Sequence, residues 1–289
     1  MQALKPVLVI LALVSLPAWA VPPATVAAVQ SPAWLERGGH VKPLAVGMAI
    51  ENGDRIRTGD DARAYLALAE GSTVKLGANA KLALFSMSAK SQKQYKGALD
   101  VTNGAFRFTT GGAKRVKSRE IVIRVGAATA AIRGADVWGR SDAREDLICL
   151  IEGKLDVWHA ALPASPAMSE PMTCFVAPKG QAPKPVATVA STELQQWVRQ
   201  TEIERRGGAA RSGGTVALSL GRYASEAEAL ERYDIARGAG FAVSIKPVAA
   251  ESGDWSYQLV ATGFPDEEEA SAAAMRLKDA TGIEAATAQ

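Results

Sequence analysis

The chain has 289 residues, 48% of them hydrophobic and 22% charged, with a net charge of +3. That length suggests about two domains, and the composition excludes a chain too polar to bury a core. So weak a positive balance excludes a dedicated nucleic-acid binder, which carries a strong basic footprint.

Residues 1–20 read as an export signal. Lys5 gives a positive start, Pro6 to Leu16 an apolar run, and Ala18-Trp19-Ala20 a small-x-small cleavage site. The run is short for a membrane span, so an uncleaved anchor is the weaker alternative. Cleavage after Ala20 predicts a periplasmic mature chain. It removes only Lys5, leaving 32 basic and 30 acidic residues, a net +2. No Cys follows the run, so lipoprotein processing is not expected. No later segment is apolar over a span's length, and no transmembrane segment is expected in the mature chain.

Residues 25–158 read as short strands between turns. A polar residue, a Gly and alternating apolar positions recur at Asn52-Gly53-Asp54-Arg55-Ile56, Glu70-Gly71-Ser72-Thr73-Val74 and Asn103-Gly104-Ala105-Phe106. They return at Arg133-Gly134-Ala135-Asp136-Val137 and Glu152-Gly153-Lys154-Leu155. Gly supplies the positive φ of a tight turn, and period-two alternation buries one face of the strand that follows. The irregular spacing predicts an all-β domain, either a short β-solenoid or a rolled sheet.

In an oxidising compartment Cys149 and Cys174 are disulfide candidates. Both lie in strand-like stretches. Closing their loop of about 25 residues would add about 3 kcal/mol. Two buried free thiols are the alternative. The two histidines, His40 and His159, sit at ligand spacing from neither Cys, so no metal and no cofactor is expected. They also offer no acid–base partner for a nucleophile, and no carboxylate pair is singled out, so the chain is expected not to be an enzyme.

Residues 159–190 hold six prolines between Pro163 and Pro185 and are expected to pack partly on the β domain. Residues 191–206 look helical, with Ser191 or Thr192 as cap and Leu194, Trp197 and Val198 as an apolar stripe. Residues 207–214 follow as a Gly-rich, flexible linker. Residues 215–289 then read as βαββαβ. The strands begin around Val216, Phe241, Tyr257 and Ile283. A helix capped by Ser225 carries Ala229, Leu230, Tyr233 and Ala236, and a second helix spans Asp266 to Ala280. This order implies an α+β unit, a four-stranded antiparallel sheet with two helices on one face and the other face open. Alternation assigns Ser219, Ser244, Lys246, Ser256, Gln258 and Val260 to that face. Tyr223, Tyr257 and Phe264 fall on the core side.

Three further groups take bland readings. Asp54, Asp60 and Asp61 lack the spacing of a Ca²⁺ loop and read as turn caps. Arg133 reads as structural rather than anion-binding. Lys114 to Arg119 reads as a solvated basic loop, with contact to an anionic envelope polymer as the minority alternative.

Two stretches resemble known families. Asn52–Gly59, Ala69–Leu76 and Ala130–Trp138 resemble FecR domains over roughly residues 40–158, with Ala135 in place of the usual Thr. That resemblance implies a β-rich periplasmic module. The family's founding member is an inner-membrane signal transducer, but with a cleaved signal and no internal span this chain is expected to lack the cytoplasmic arm such signalling needs. Val216–Tyr223, Ala239-Gly240-Phe241 and Tyr257–Phe264 resemble the SPOR domain over residues 215–286. SPOR domains bind peptidoglycan glycan strands stripped of stem peptides, on the open sheet face.

Carried over, the resemblance implies Ser219, Arg222, Lys246, Ser256 and Gln258 as glycan-binding residues. The family's Gln aligns with Ser219, its Ser with Arg222, its Arg with Gln258 and its frequent aromatic with Ser256, while Trp255 is one position off. The expected function is thus a non-enzymatic periplasmic protein that binds denuded glycan, with the FecR-like domain serving an envelope protein partner or as scaffold. The alternative is an interaction scaffold or signalling accessory whose SPOR-like face has lost glycan affinity.

Overall fold

Alternation builds the N-terminal half. In Arg63–Leu68 and Thr73–Leu76 half-buried and buried residues follow one another without a break, which a strand with one face on a core requires. The computed structural model describes residues 22–91, 94–112, 118–249 and 253–287. The expected signal segment, residues 1–20, and Lys114 to Lys117 lie outside the described residues.

The strands are β1 (Ala24–Gln30), β2 (Ala33–Arg37), β3 (His40–Pro43), β4 (Ala49–Ile50), β5 (Arg55–Thr58), β6 (Arg63–Leu68), β7 (Thr73–Leu76) and β8 (Lys81–Ser91). They continue as β9 (Gln94–Thr109), β10 (Ser118–Val125), β11 (Ala128–Ser141), β12 (Glu145–His159), β13 (Ala167–Met168), β14 (Thr173–Pro178), β15 (Ala187–Thr188) and β16 (Ala209–Arg211). All belong to one sheet, whose longest path runs β15-β14-β12-β11-β10-β9-β7-β6-β1-β16.

Strand β9 rolls that sheet. Residues 94–101 lie between β8 and β10, whereas residues 106–109 lie between β7 and β11. The change of partners falls at Gly104, where φ is +81° and a Cβ would sit 2.5 Å from Ala80 Cα. Only β9 and β10 pair in parallel among the described residues. Coils of a solenoid stack in parallel, so of the two expected forms the rolled sheet is the one built. Its interior holds Leu66, Leu76, Phe106, Phe108, Ile123, Val137 and Phe175.

The Pro-rich stretch extends this sheet through β13, β14 and β15. Cys149 and Cys174 are direct cross-strand partners in β12 and β14 and form a disulfide, with Cα atoms 4.1 Å apart. Helix α1 (Ser191–Arg199) covers it. Leu194, Trp197 and Val198 pack beside the disulfide and Trp138, whose ring stacks on Trp197 at 5.4 Å. The helix differs from expectation at both ends. Ala190 is its N-cap and no side chain caps it, so Ser191 and Thr192 stand inside the first turn. It stops at Arg199 because Glu202 is drawn onto the β domain by Lys75, Tyr65 and Arg107.

The expected flexible linker is also different. Residues 209–211 are strand β16, paired with β1.

The C-terminal unit comprises β17 (Val216–Tyr223), α2 (Glu226–Gly238), β18 (Ser244–Ala249), β19 (Trp255–Phe264), α3 (Glu267–Thr281) and β20 (Ala286–Thr287). The antiparallel sheet runs β18-β19-β17-β20. Ser225 caps α2 and Asp266 caps α3, each accepting from the third residue on. Three expectations are corrected. The second strand begins at Ser244, because Gly240 at φ +83° turns Phe241 into the core first. The fourth begins at Ala286, after Ile283 has anchored in the core. Leu230 is 43% exposed, because α2 buries Ala229 and Ala236, which places Leu230 off the stripe.

Candidate functional site

Both C-terminal helices pack on one face of their sheet. Ala236 of α2 and Ala270, Ala273 and Leu277 of α3 meet Leu218, Leu220 and Leu259 there. The register sets the opposite face in rows. Arg222 of β17, Gln258 of β19 and Lys246 of β18 stand directly across from one another. Ser219, Val260 and Ser244 form the adjoining row, and Ser256 pairs with Val248 beyond Gln258. Two strand spacings put Arg222 and Lys246 about 10 Å apart, with an amide between them.

A bulge brings Arg222 into this row. Ser219 and Arg222 are three residues apart, so simple alternation would set them on opposite faces. Instead Ser219 pairs with Val260 and Arg222 with Gln258, so Leu220 and Gly221 together oppose Leu259. Gly221 adopts φ +123° at this point. Tyr223 locks the bulge, its hydroxyl donating to the Leu220 carbonyl at 2.9 Å. Burial raises the Tyr223 pKa, so the hydroxyl stays a donor.

Arg222 and Lys246 are exposed, and Ser219, Ser256 and Gln258 half-buried. Gln258 Nε2 donates to Ser219 Oγ at 3.4 Å, and Ser256 Oγ donates to the Val248 carbonyl at 3.2 Å. Arg222 and Lys246 form no ion pair among the described residues. The structure thus gathers Ser219, Arg222, Lys246, Ser256 and Gln258 on one face. It excludes Val260 from the accessible part, since Val260, central between two serines, is only 3% exposed. Trp255 is 59% exposed but shares its parity with Tyr257 and Leu259, so it belongs to the helix side. Phe264 is buried in the core, with Tyr223 packed against it and Tyr257 half-buried.

Ser244 and Val260 line a cavity shared with Leu44, Ala45, Val46 and Gly47 of the β domain, whereas Arg222, Gln258 and Lys246 do not line it. Hydrogen bonds between the domains start from the helix layer: Arg276 Nε to the Ser31 carbonyl, Ala33 N–H to the Gly240 carbonyl, and Arg237 to the Val41 carbonyl. Among the described residues none involves a side chain of the open face.

Elsewhere, Asp54 is 1% exposed, clamped bidentately by Arg37 and accepting from the Glu51 N–H. Asp60 accepts from the Asn79 amide. No group of three metal-ligating side chains forms among the described residues. Arg133 is exposed beside a bulge in β11. Arg119 departs from expectation. Its side chain is 11% exposed and pairs with fully buried Glu70 at 3.1 Å, so it belongs to the β domain's interior rather than to a solvated loop.

Sequence reasoning missed the joint at Glu202. This carboxylate accepts from Lys75 Nζ, Tyr65 Oη and Arg107 Nη1. Burial alone would raise its pKa, but the Lys75 and Tyr65 hydrogen bonds and the charges of Lys75 and Arg107 outweigh it and hold the group below the usual carboxylate range. No local motif announces such a site, because its three partners come from three strands.

Residues 54–156 match the family model described as FecR protein, and residues 212–288 match the model of the SPOR domain. Two crystal structures of a candidate anti-sigma factor from Parabacteroides distasonis ATCC 8503 align with 81% of this chain and 98% of that chain. Their identities are 12% and 11%, and both TM-scores are 0.42. No curated protein matches the chain.

Proposed function

From a chain that carries a FecR domain followed by a SPOR domain, we propose a non-enzymatic envelope protein that binds peptidoglycan glycan strands on the open face of its C-terminal sheet. The row Arg222–Gln258–Lys246 carries this reading. Removing a stem peptide by amide hydrolysis leaves a free carboxylate on the glycan. Two exposed cations about 10 Å apart suit such carboxylates. The amide of Gln258 and the hydroxyls of Ser219 and Ser256 suit acetamido and hydroxyl groups. The FecR domain serves as the module that holds an envelope protein partner or acts as scaffold. A disulfide between buried cysteines supports an oxidising location, the periplasm, since such bonds persist there.

The test is co-sedimentation of the full chain with sacculi, amidase-treated and untreated. Enrichment on the treated, peptide-free glycan is expected. Charge reversal of both cations, Arg222→Glu with Lys246→Glu, is expected to weaken it about tenfold or more. The family's Gln, Arg and aromatic are replaced here by Ser219, Gln258 and Ser256, which favours a second reading, a scaffold with no glycan affinity. A folded chain that sediments with neither form would establish that second reading in place of the first.

A further inference from the structure

The stretch from Arg206 to Arg211 has the composition of a tether but is held from both sides. On one side Ala209, Ala210 and Arg211 pair with Gln30, Val29 and Ala28 at the edge of the large sheet, and the Ser212 N–H donates to the Ala27 carbonyl at 2.9 Å. On the other side stands Glu269 of α3, only 6% exposed. Its carboxylate accepts three backbone N–H groups, from Arg206 at 3.1 Å, Gly208 at 2.8 Å and Ala209 at 3.0 Å.

That arrangement resolves two costs at once. A buried carboxylate without donors is expensive, and so are unpaired backbone N–H groups. Here each satisfies the other, in the first turn of a helix whose dipole already favours an anion. Gly208 is required for it. Its φ is +78°, and a Cβ would lie 2.7 Å from the Ala273 nitrogen. Arg206 also pairs with Glu268, but that pair is exposed and adds little.

Two further contacts flank the first. Arg276 Nε donates to the Ser31 carbonyl at 3.0 Å, and the Ala33 N–H donates to the Gly240 carbonyl at 3.2 Å. Gly240 lies so close to Trp34 that a Cβ there would be 2.6 Å from the indole.

We infer that Glu269 is the bolt of an interdomain clasp, which joins the FecR and SPOR domains into one rigid body. None of these contacts uses Arg222, Gln258 or Lys246, so that row stays clear of the clasp. A ligand on that face and a protein on the β domain can therefore be held together at a fixed separation. The clasp stands whatever the face binds.

Limited trypsin digestion of the full chain tests it, because Arg205, Arg206 and Arg211 place three cleavage sites in the clasp. Native-state proteolysis follows the population of the open form when closing outpaces cutting. The intact chain is expected to resist at these three sites. Glu269→Ala is expected to be cut there about tenfold faster, with cleavage elsewhere unchanged, as mass spectrometry of the fragments reads. Should Glu269→Ala lose its far-UV circular dichroism, Gly208→Ala decides, since it removes no buried polar partner. Rapid cleavage of the intact chain at these arginines, or no acceleration in a folded variant, overturns the clasp and restores the tether.

Discussion

Strict alternation from Ser219 would turn Arg222 toward the helices. A single bulged residue prevents it, and Gly221 is the residue that permits the bulge. Its φ of +123° is open to glycine and costly for a residue with a Cβ, which here would also lie 2.8 Å from Tyr223 Oη. Gly221→Ala is therefore expected to cost about 1–2 kcal/mol. It should also displace Tyr223 from the Leu220 carbonyl. Urea unfolding measures the first effect. The second reaches the face, because Arg222 loses its register with Gln258, so sedimentation with peptide-free glycan is expected to weaken, in the same direction as for the double charge reversal of Arg222 and Lys246. A variant that loses stability yet keeps full sedimentation would show that Arg222 is dispensable. A Gly inside an apolar strand is itself a bulge signal. From the sequence, Val216–Tyr223 reads as an unbroken alternation with no bulge drawn from Gly221, and which residue the bulge re-aims depends on the register with β19.

Among the elements, α1 and the turn after it show how a short amphipathic helix becomes fixed. Nine residues are too few to hold a helix in water. Leu194 and Trp197 anchor it over the disulfide and Trp138, and Glu202 ties its exit to β6, β7 and β9. Because the Glu202 carboxyl is held below its ordinary value of 4.5, the unfolded chain takes up this proton first. The joint's contribution is thus present above that pH and lost as pH falls through the depressed folded value. Thermal unfolding followed from neutral pH downward should show the midpoint falling in that acid range. Glu202→Gln should start lower at neutral pH and show a shallower fall. Parallel curves for the two proteins would mean that other carboxylates dominate. The helix and its apolar stripe were visible as periodicity, and the strands as Gly turns with alternation. Partner choice was not. Strand β9 serves four neighbours and the Gly-rich β16 pairs with β1, and such edges are set by tertiary context rather than by local preference.

For the molecule as a whole, the two cores are chemically separate. One is a rolled sheet rich in Leu, Ile, Val and Phe, and the other a thin layer of Ala and Leu between two helices and four strands. Small cores of the second kind bury a low fraction of their surface and are marginal alone. The clasp changes that balance, since α3 gains hydrogen bonds from Arg206, Gly208 and Ala209 that exist only while β16 stays on β1. Unfolding of either domain then removes partners from the other, and the chain should melt in one calorimetric transition. Gly208→Ala removes the coupling but leaves both cores intact. It is expected to split the transition, with the C-terminal unit melting first and the β domain, braced by its disulfide, close to its original midpoint. If the intact chain already melts in two well-separated steps, the cores are independent and the hydrogen bonds at Glu269 contribute little to either. A single transition that persists in Gly208→Ala would place the coupling instead at Arg276 and Gly240, where α3 and the turn after α2 meet Ser31, Ala33 and Trp34.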